Sequence, residues 1–202
     1  MVKSDSESGK VVSAATESCA NERWGRFASA GLEFGNNGIS DSLTGSSAPN
    51  IFMQNLRRAV SHANRNPEPL TIMTIKFCPA NLTNPADPAK VLQGSRGKKI
   101  SEADISRIRT TMERDLLVGS RAISISLRGE DFFSRVALAG FWIFLHSDLA
   151  SAQKAANRFK SKIQAANPTQ ILNLDVQLYS RQESTTAGSW VATIDNGYFS
   201  QR

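Results

Sequence analysis

The chain has 202 residues, 40% of them apolar, which is enough for one packed core and short for two. With 21% charged residues and no run near the roughly 20 apolar residues of a membrane helix, the expectation is a soluble, cytoplasmic protein with no membrane span. A net charge of +6 raises nucleic acid as a partner, but the basic run Arg96, Lys98, Lys99, Arg107, Arg109, Arg114 and Arg121 is broken by Glu102, Asp104, Glu113 and Asp115, and no recognition-helix, zinc-finger or aromatic RNA-binding pattern accompanies it.

Residues 1–22 mix Ser, Glu, Lys and Gly with little apolar periodicity, which predicts a disordered leader without the apolar block of a signal peptide. Residues 23–40 read as a lead-in helix or linker, with a short helix over Trp24–Phe34. From Asn50 to Asn64 the residues Ile51, Phe52, Leu56, Ala59, Val60 and Ala63 recur at helical spacing after a Ser/Pro start. Leu70–Phe77 is a compact apolar, β-branched run between prolines, as a core strand would be.

Residues 79–100 hold Pro79, Pro85, Pro88, Gly94 and Gly97 and predict a long loop inserted into the domain. A helix is then expected from Ser101 through Ile105, Ile108, Met112, Leu116 and Ile123 to Leu127, with a break near Gly119. Phe132–Ala137 and Phe141–Leu145 predict a β-hairpin. Asp148 caps a helix with Leu149, Ala152, Ala155, Ala156, Phe159 and Ile163 on one face. Ile171–Tyr179 is a strand candidate, and Trp190–Ile194 a further one. The order predicts an α/β domain with one sheet and helices mainly on one of its faces. Cys19 and Cys78 lack metal or redox spacing, and His62 and His146 have no accompanying nucleophile or carboxylate pattern.

Asp41–Gly45 reads DSLTG and is followed by Phe52. Together with the ordered helix, the strand LTIMTIKF, a second helix, the hairpin RVALAGFWIFL and the helix SDLASAQKAANRF, this resembles the GGDEF family of diguanylate cyclase-like domains over roughly residues 41–179. The resemblance implies an α+β, palm-like domain at 41–202, with a central, mainly antiparallel sheet flanked by helices. Ala137, Leu138, Ala139, Gly140 and Phe141 stand where GGDEF itself would.

Joining two GTP molecules needs carboxylates to hold the metal ions that bridge the triphosphate. The positions the resemblance assigns to that work are Lys76, Cys78, Leu138, Ala139 and Gly140, none of which offers a hard-cation ligand, and the glycine pair is lost to Ala137 and Leu138. A degenerate, catalytically inactive domain without metal or cofactor is therefore expected.

Upstream of the hairpin, Arg128-Gly129-Glu130-Asp131 has the RxxD spacing of the family's inhibitory product site. A guanidinium can fork onto a guanine edge or phosphate, and a carboxylate accepts from guanine N1 and N2. Arg158 falls where the family often adds a second arginine, and Arg135 is a secondary candidate with a structural role equally open. The resemblance implies cyclic di-GMP as ligand, bound by Arg128, Asp131 and Arg158, and a protein partner or a second copy of the chain as the reader of that state. A helix-end cap paired across a turn accounts for Arg128 and Asp131 equally well, and a ligand-free interaction scaffold is the competing reading.

Overall fold

A computed structural model describes residues 34–79, 102–167 and 172–199. The expected leader, the helix proposed from Trp24 and the 79–100 insert therefore lie, but for Phe34 and Pro79, outside the described residues. Within them the order is α1 (Pro49–Arg65), β1 (Thr71–Pro79), α2 (Glu102–Ser124), β2 (Phe132–Ala137), β3 (Gly140–Leu145), α3 (Leu149–Ala166), β4 (Leu172–Ser180) and α4 (Ala187–Phe199). The sheet runs β2-β3-β1-β4 with every neighbouring pair antiparallel.

The helices cover both faces of this sheet rather than mainly one. Alternation along β1 sends Met73, Ile75 and Phe77 into one core with α2 and α3, and Ile72 into a second with α1 and α4. All six residues of β3 are buried. A strand apolar on both faces needs cover on both, which is why LTIMTIKF and GFWIFL read as continuous rather than alternating runs. On the α1 side Phe52 meets Phe132 edge-on at 5.1 Å, and Phe132 stacks on Phe144 at 4.6 Å.

Helix α1 begins on Pro49, whose fixed φ suits the first helical position and whose missing N–H is no loss there. Its buried stripe is Phe52, Leu56, Val60 and Ala63. The break expected near Gly119 does not occur: α2 passes through it. Glycine is required there by packing, because a Cβ would lie 2.3 Å from Cζ of Phe77.

Trp190–Ile194 is helical, not a strand. Ala187, Trp190 and Ile194 are buried at helical spacing against the second core, and Thr186 accepts the Ser189 N–H at 3.1 Å as the cap. The local β preference of Val191, Thr193 and Ile194 yields to that burial. No helix among the described residues is long and apolar enough to cross a membrane.

Asp148 caps α3 by accepting the Ser151 N–H at 2.8 Å. Hydrogen bonding from Ser151 holds its carboxyl below the ordinary value. A depressed carboxylate contributes stability above its unfolded pKa, near 3.9, and loses it as pH falls through the folded one. Asp148→Ala is accordingly expected to melt earlier than the parent at neutral pH, with the two curves converging in acid; a gap that persists undiminished in acid strong enough to protonate the carboxyl in both states would contradict the cap's charge dependence.

Candidate ligand site

The DSLTG segment is a tight turn closed on itself. Asp41 is buried, and its Oδ1 accepts both the Thr44 N–H and the Thr44 hydroxyl at 2.7 Å. Gly45 takes φ 68°, a left-handed conformation natural to glycine. Into this turn reaches Arg135 from β2, fully buried, with Nη1 donating to Asp41 Oδ2 at 3.2 Å. Its Nε and Nη2 donate to the Leu138 carbonyl at 3.2 and 2.6 Å, and the Phe34 ring lies 5.3 Å from its Cζ.

Burial lowers the Arg135 pKa and Asp41 opposes that shift; a guanidinium in this setting stays charged. Arg135, a secondary ligand candidate in the sequence, thus faces inward and ties the hairpin to the opening turn. Its donors are taken up by protein atoms, so of its two candidate roles the geometry fits the structural one.

Arg128 and Asp131 sit on the connection from α2 to β2. The Asp131 N–H donates to the Arg128 carbonyl at 3.2 Å, while Asp131 Oδ2 accepts the Arg128 N–H at 3.1 Å. Asp131 Oδ1 accepts the His146 N–H, also at 3.1 Å, which anchors the turn to the exit of β3. The Arg128 side chain is exposed and has no hydrogen-bond or ion-pair partner among the described residues. Arg158, exposed on α3, donates from Nη2 to the Ser126 carbonyl at 3.2 Å, two residues before Arg128. All three residues are thus brought to one edge of the domain, at the exit of α2.

Each Asp131 oxygen has one backbone donor, and a carboxylate offers about four lone-pair sites. Capacity remains for donors of a guanine edge. The two arginines stand ready for phosphate or base, one of them held at the loop by its carbonyl contact.

At the hairpin end, the Ala139 carbonyl accepts the Phe77 N–H at 2.8 Å, and Lys76 lies in register between Gly140 on β3 and Asp175 on β4. Asp175 is a carboxylate that the sequence reading did not single out; only the cross-strand register places it beside Lys76. Burial raises its pKa, and Lys76 works against that rise. No group of three or more His, Cys, Asp or Glu gathers for a metal ion among the described residues. His62 pairs with Glu68 at 3.5 Å on the surface, and the His146 ring packs edge-on against Phe144.

No family model matches the chain and no curated protein matches it. Solved structures do. The GGDEF domain of DgcB from Caulobacter crescentus, in complex with c-di-GMP, superposes with a TM-score of 0.58 at 11% identity, covering 83% of this chain and 92% of that one. A microbial GGDEF domain described in a novel mode of interaction with cyclic di-GMP gives 0.58 at 16%, covering 81% and 89%. The GGDEF domain of YfiN from Pseudomonas aeruginosa gives 0.54 at 18%, covering 78% and 91%. The chain has the fold of these GGDEF domains, as its opening turn, hairpin and order of elements led one to expect.

Proposed function

We propose that this chain is a catalytically inactive GGDEF-type domain that works in the cytoplasm as a cyclic di-GMP receptor, with Arg128, Asp131 and Arg158 as the ligand-binding residues. The observation that carries the reading is their convergence: an exposed Arg128 guanidinium without a partner among the described residues, an Asp131 carboxylate oriented by two backbone N–H groups, and Arg158 drawn to the same loop. Two structural neighbours are GGDEF domains whose structures involve this dinucleotide. Loss of cyclase chemistry is supported by Lys76, Leu138, Ala139 and Gly140 at positions where the family's metal-binding acids belong; Asp175, with Lys76 beside it, is no two-metal clamp.

Bound ligand would present its own surface at the α2 exit, for a protein partner or a second copy of the chain to read. An activator protein bound to the Pseudomonas aeruginosa cyclase SiaD, another structure of this fold, is a precedent for a protein partner. The competing reading, a ligand-free scaffold, is favoured by the structural duties Asp131 and Arg158 already perform toward backbone groups.

Calorimetric titration separates the two. Cyclic di-GMP is expected to bind at micromolar or lower concentration, and GTP much more weakly. Arg128→Ala, which removes a side chain without a partner among the described residues, is expected to weaken binding at least tenfold, the worth of one charge-assisted pair of hydrogen bonds. No heat from folded protein leaves the scaffold reading standing. Formation of cyclic di-GMP from GTP and Mg²⁺ would overturn the inactive assignment.

A further inference from the structure

Away from the Arg128 turn, the basic residues concentrate along α2 and α3. Helix α3 carries Lys154, Arg158, Lys160 and Lys162 and no acid. Lys154, Arg158 and Lys162 are exposed and recur every four residues, so they form one stripe with about 6 Å between steps. Contacts from the middle of α3 and from its C-cap reach toward α2: Arg158 donates to the Ser126 carbonyl just past the end of α2, and Asn167 donates to Asp115.

Helix α2 contributes Arg107, Arg114 and Arg121, exposed and seven residues apart. Asp115 is buried between Arg114 and Asn167. Glu113 lies on the side whose charge acts on Arg135, and Asp148, beside Lys154, is occupied as the cap of α3. Two aliphatic side chains stand within this field, Leu117 at 44% and Ile125 at 69% exposure. Leu117 is three residues after Arg114 and four before Arg121. Ile125 follows Arg121 by four, its N–H on the Arg121 carbonyl, so the aliphatic and basic residues share a face.

We propose that the α2–α3 face docks on an anionic lipid bilayer, with the basic stripes at the headgroup phosphates and Leu117 and Ile125 at the acyl boundary. Cationic side chains around exposed aliphatics are the pattern of interfacial binding, in which charge attraction and apolar burial add. A nucleic-acid backbone would use the cations but offers nothing to Leu117 and Ile125, and α2 and α3 expose no aromatic side chain for base stacking among the described residues. The surface shares Arg158 with the nucleotide reading, but Lys154, Lys162, Leu117 and Ile125 are not ligand residues, so substitutions there probe it separately.

The test is co-sedimentation of the full chain, without nucleotide, with phosphatidylcholine vesicles that do or do not contain phosphatidylglycerol. Binding to the anionic vesicles alone is expected. Each basic residue near such a leaflet contributes about fivefold to partitioning, so Lys154→Gln with Lys162→Gln should weaken it about thirtyfold. Leu117→Ser with Ile125→Ser should weaken it further at unchanged charge, with the melting temperature confirming an intact fold. Equal binding to pure phosphatidylcholine, or indifference to either pair of substitutions, would overturn the proposal. So would tighter binding to duplex DNA than to the anionic vesicles at the same salt.

Discussion

Arg135→Ala is expected to lower the unfolding free energy by about 3–5 kcal/mol, read from urea denaturation, because it removes one partner of a fully buried ion pair and leaves the other without its counter-charge. Both side chains of the Arg135–Asp41 pair are 0% exposed. The same guanidinium satisfies the Leu138 carbonyl, so the substitution also orphans an acceptor in the hairpin turn. Against a typical total of about 5–15 kcal/mol, that loss leaves a marginal domain. Arg135→Lys keeps the charge but not the fork, and should fall between the two. Asp41→Leu combined with Arg135→Met replaces the pair with apolar bulk and should cost less than the sum of the single changes. A loss below about 1 kcal/mol for Arg135→Ala would mean that the pair is not desolvated as its burial indicates.

This pair explains why the resemblance was legible from residues so far apart in the chain. The DSLTG turn and the arginine before the hairpin are two halves of one contact, and both had to be present for either to make sense. The turn's short side chains, Asp41, Thr44 and Ser46, bond to one another and to the Arg135 backbone. Helix α1, the hairpin and α3 were equally legible, since the helices carry an apolar stripe, the hairpin carries apolar runs, and each has a cap or turn at its border.

What was not legible depends on partners distant in sequence. A strand apolar at every position announces burial but not which helices cover which face, and so the two-sided cover was missed. Trp190 and Ile194 look like strand residues until Trp142 and Phe144 supply the surface they cover as a helix. The inward direction of Arg135 depends on Asp41 across the fold, and the placing of Asp175 beside Lys76 on the register of β4. In the candidate site, the RxxD spacing was visible, but the reach of Arg158 to Ser126 required the packing of α3 against α2.

Gly119 is the clearest case of a residue whose meaning reverses once its neighbour is known. In the sequence it marks a helix break, and Gly119→Ala would be expected to stabilise an exposed helix by about 1 kcal/mol. In the structure the added methyl would sit 2.3 Å from Cζ and 2.9 Å from Cε1 of Phe77. That ring is fully buried and meets Phe141 edge-on at 5.8 Å, so swinging it aside would displace packed neighbours. Overpacking of this kind costs about 1–3 kcal/mol, or more where the neighbours are rigid, and should outweigh the propensity gain. A net destabilisation of about 2 kcal/mol is expected from thermal or urea unfolding. Phe77→Leu, destabilising by itself, should relieve part of the clash, so that the double variant is more stable than the sum of the two single losses predicts. If Gly119→Ala instead stabilises the protein, the ring does not fill the space the glycine leaves. Since the Phe77 N–H is bonded to Ala139, a shift of this residue would also be felt in the hairpin, by way of the strand that joins α2's packing to it.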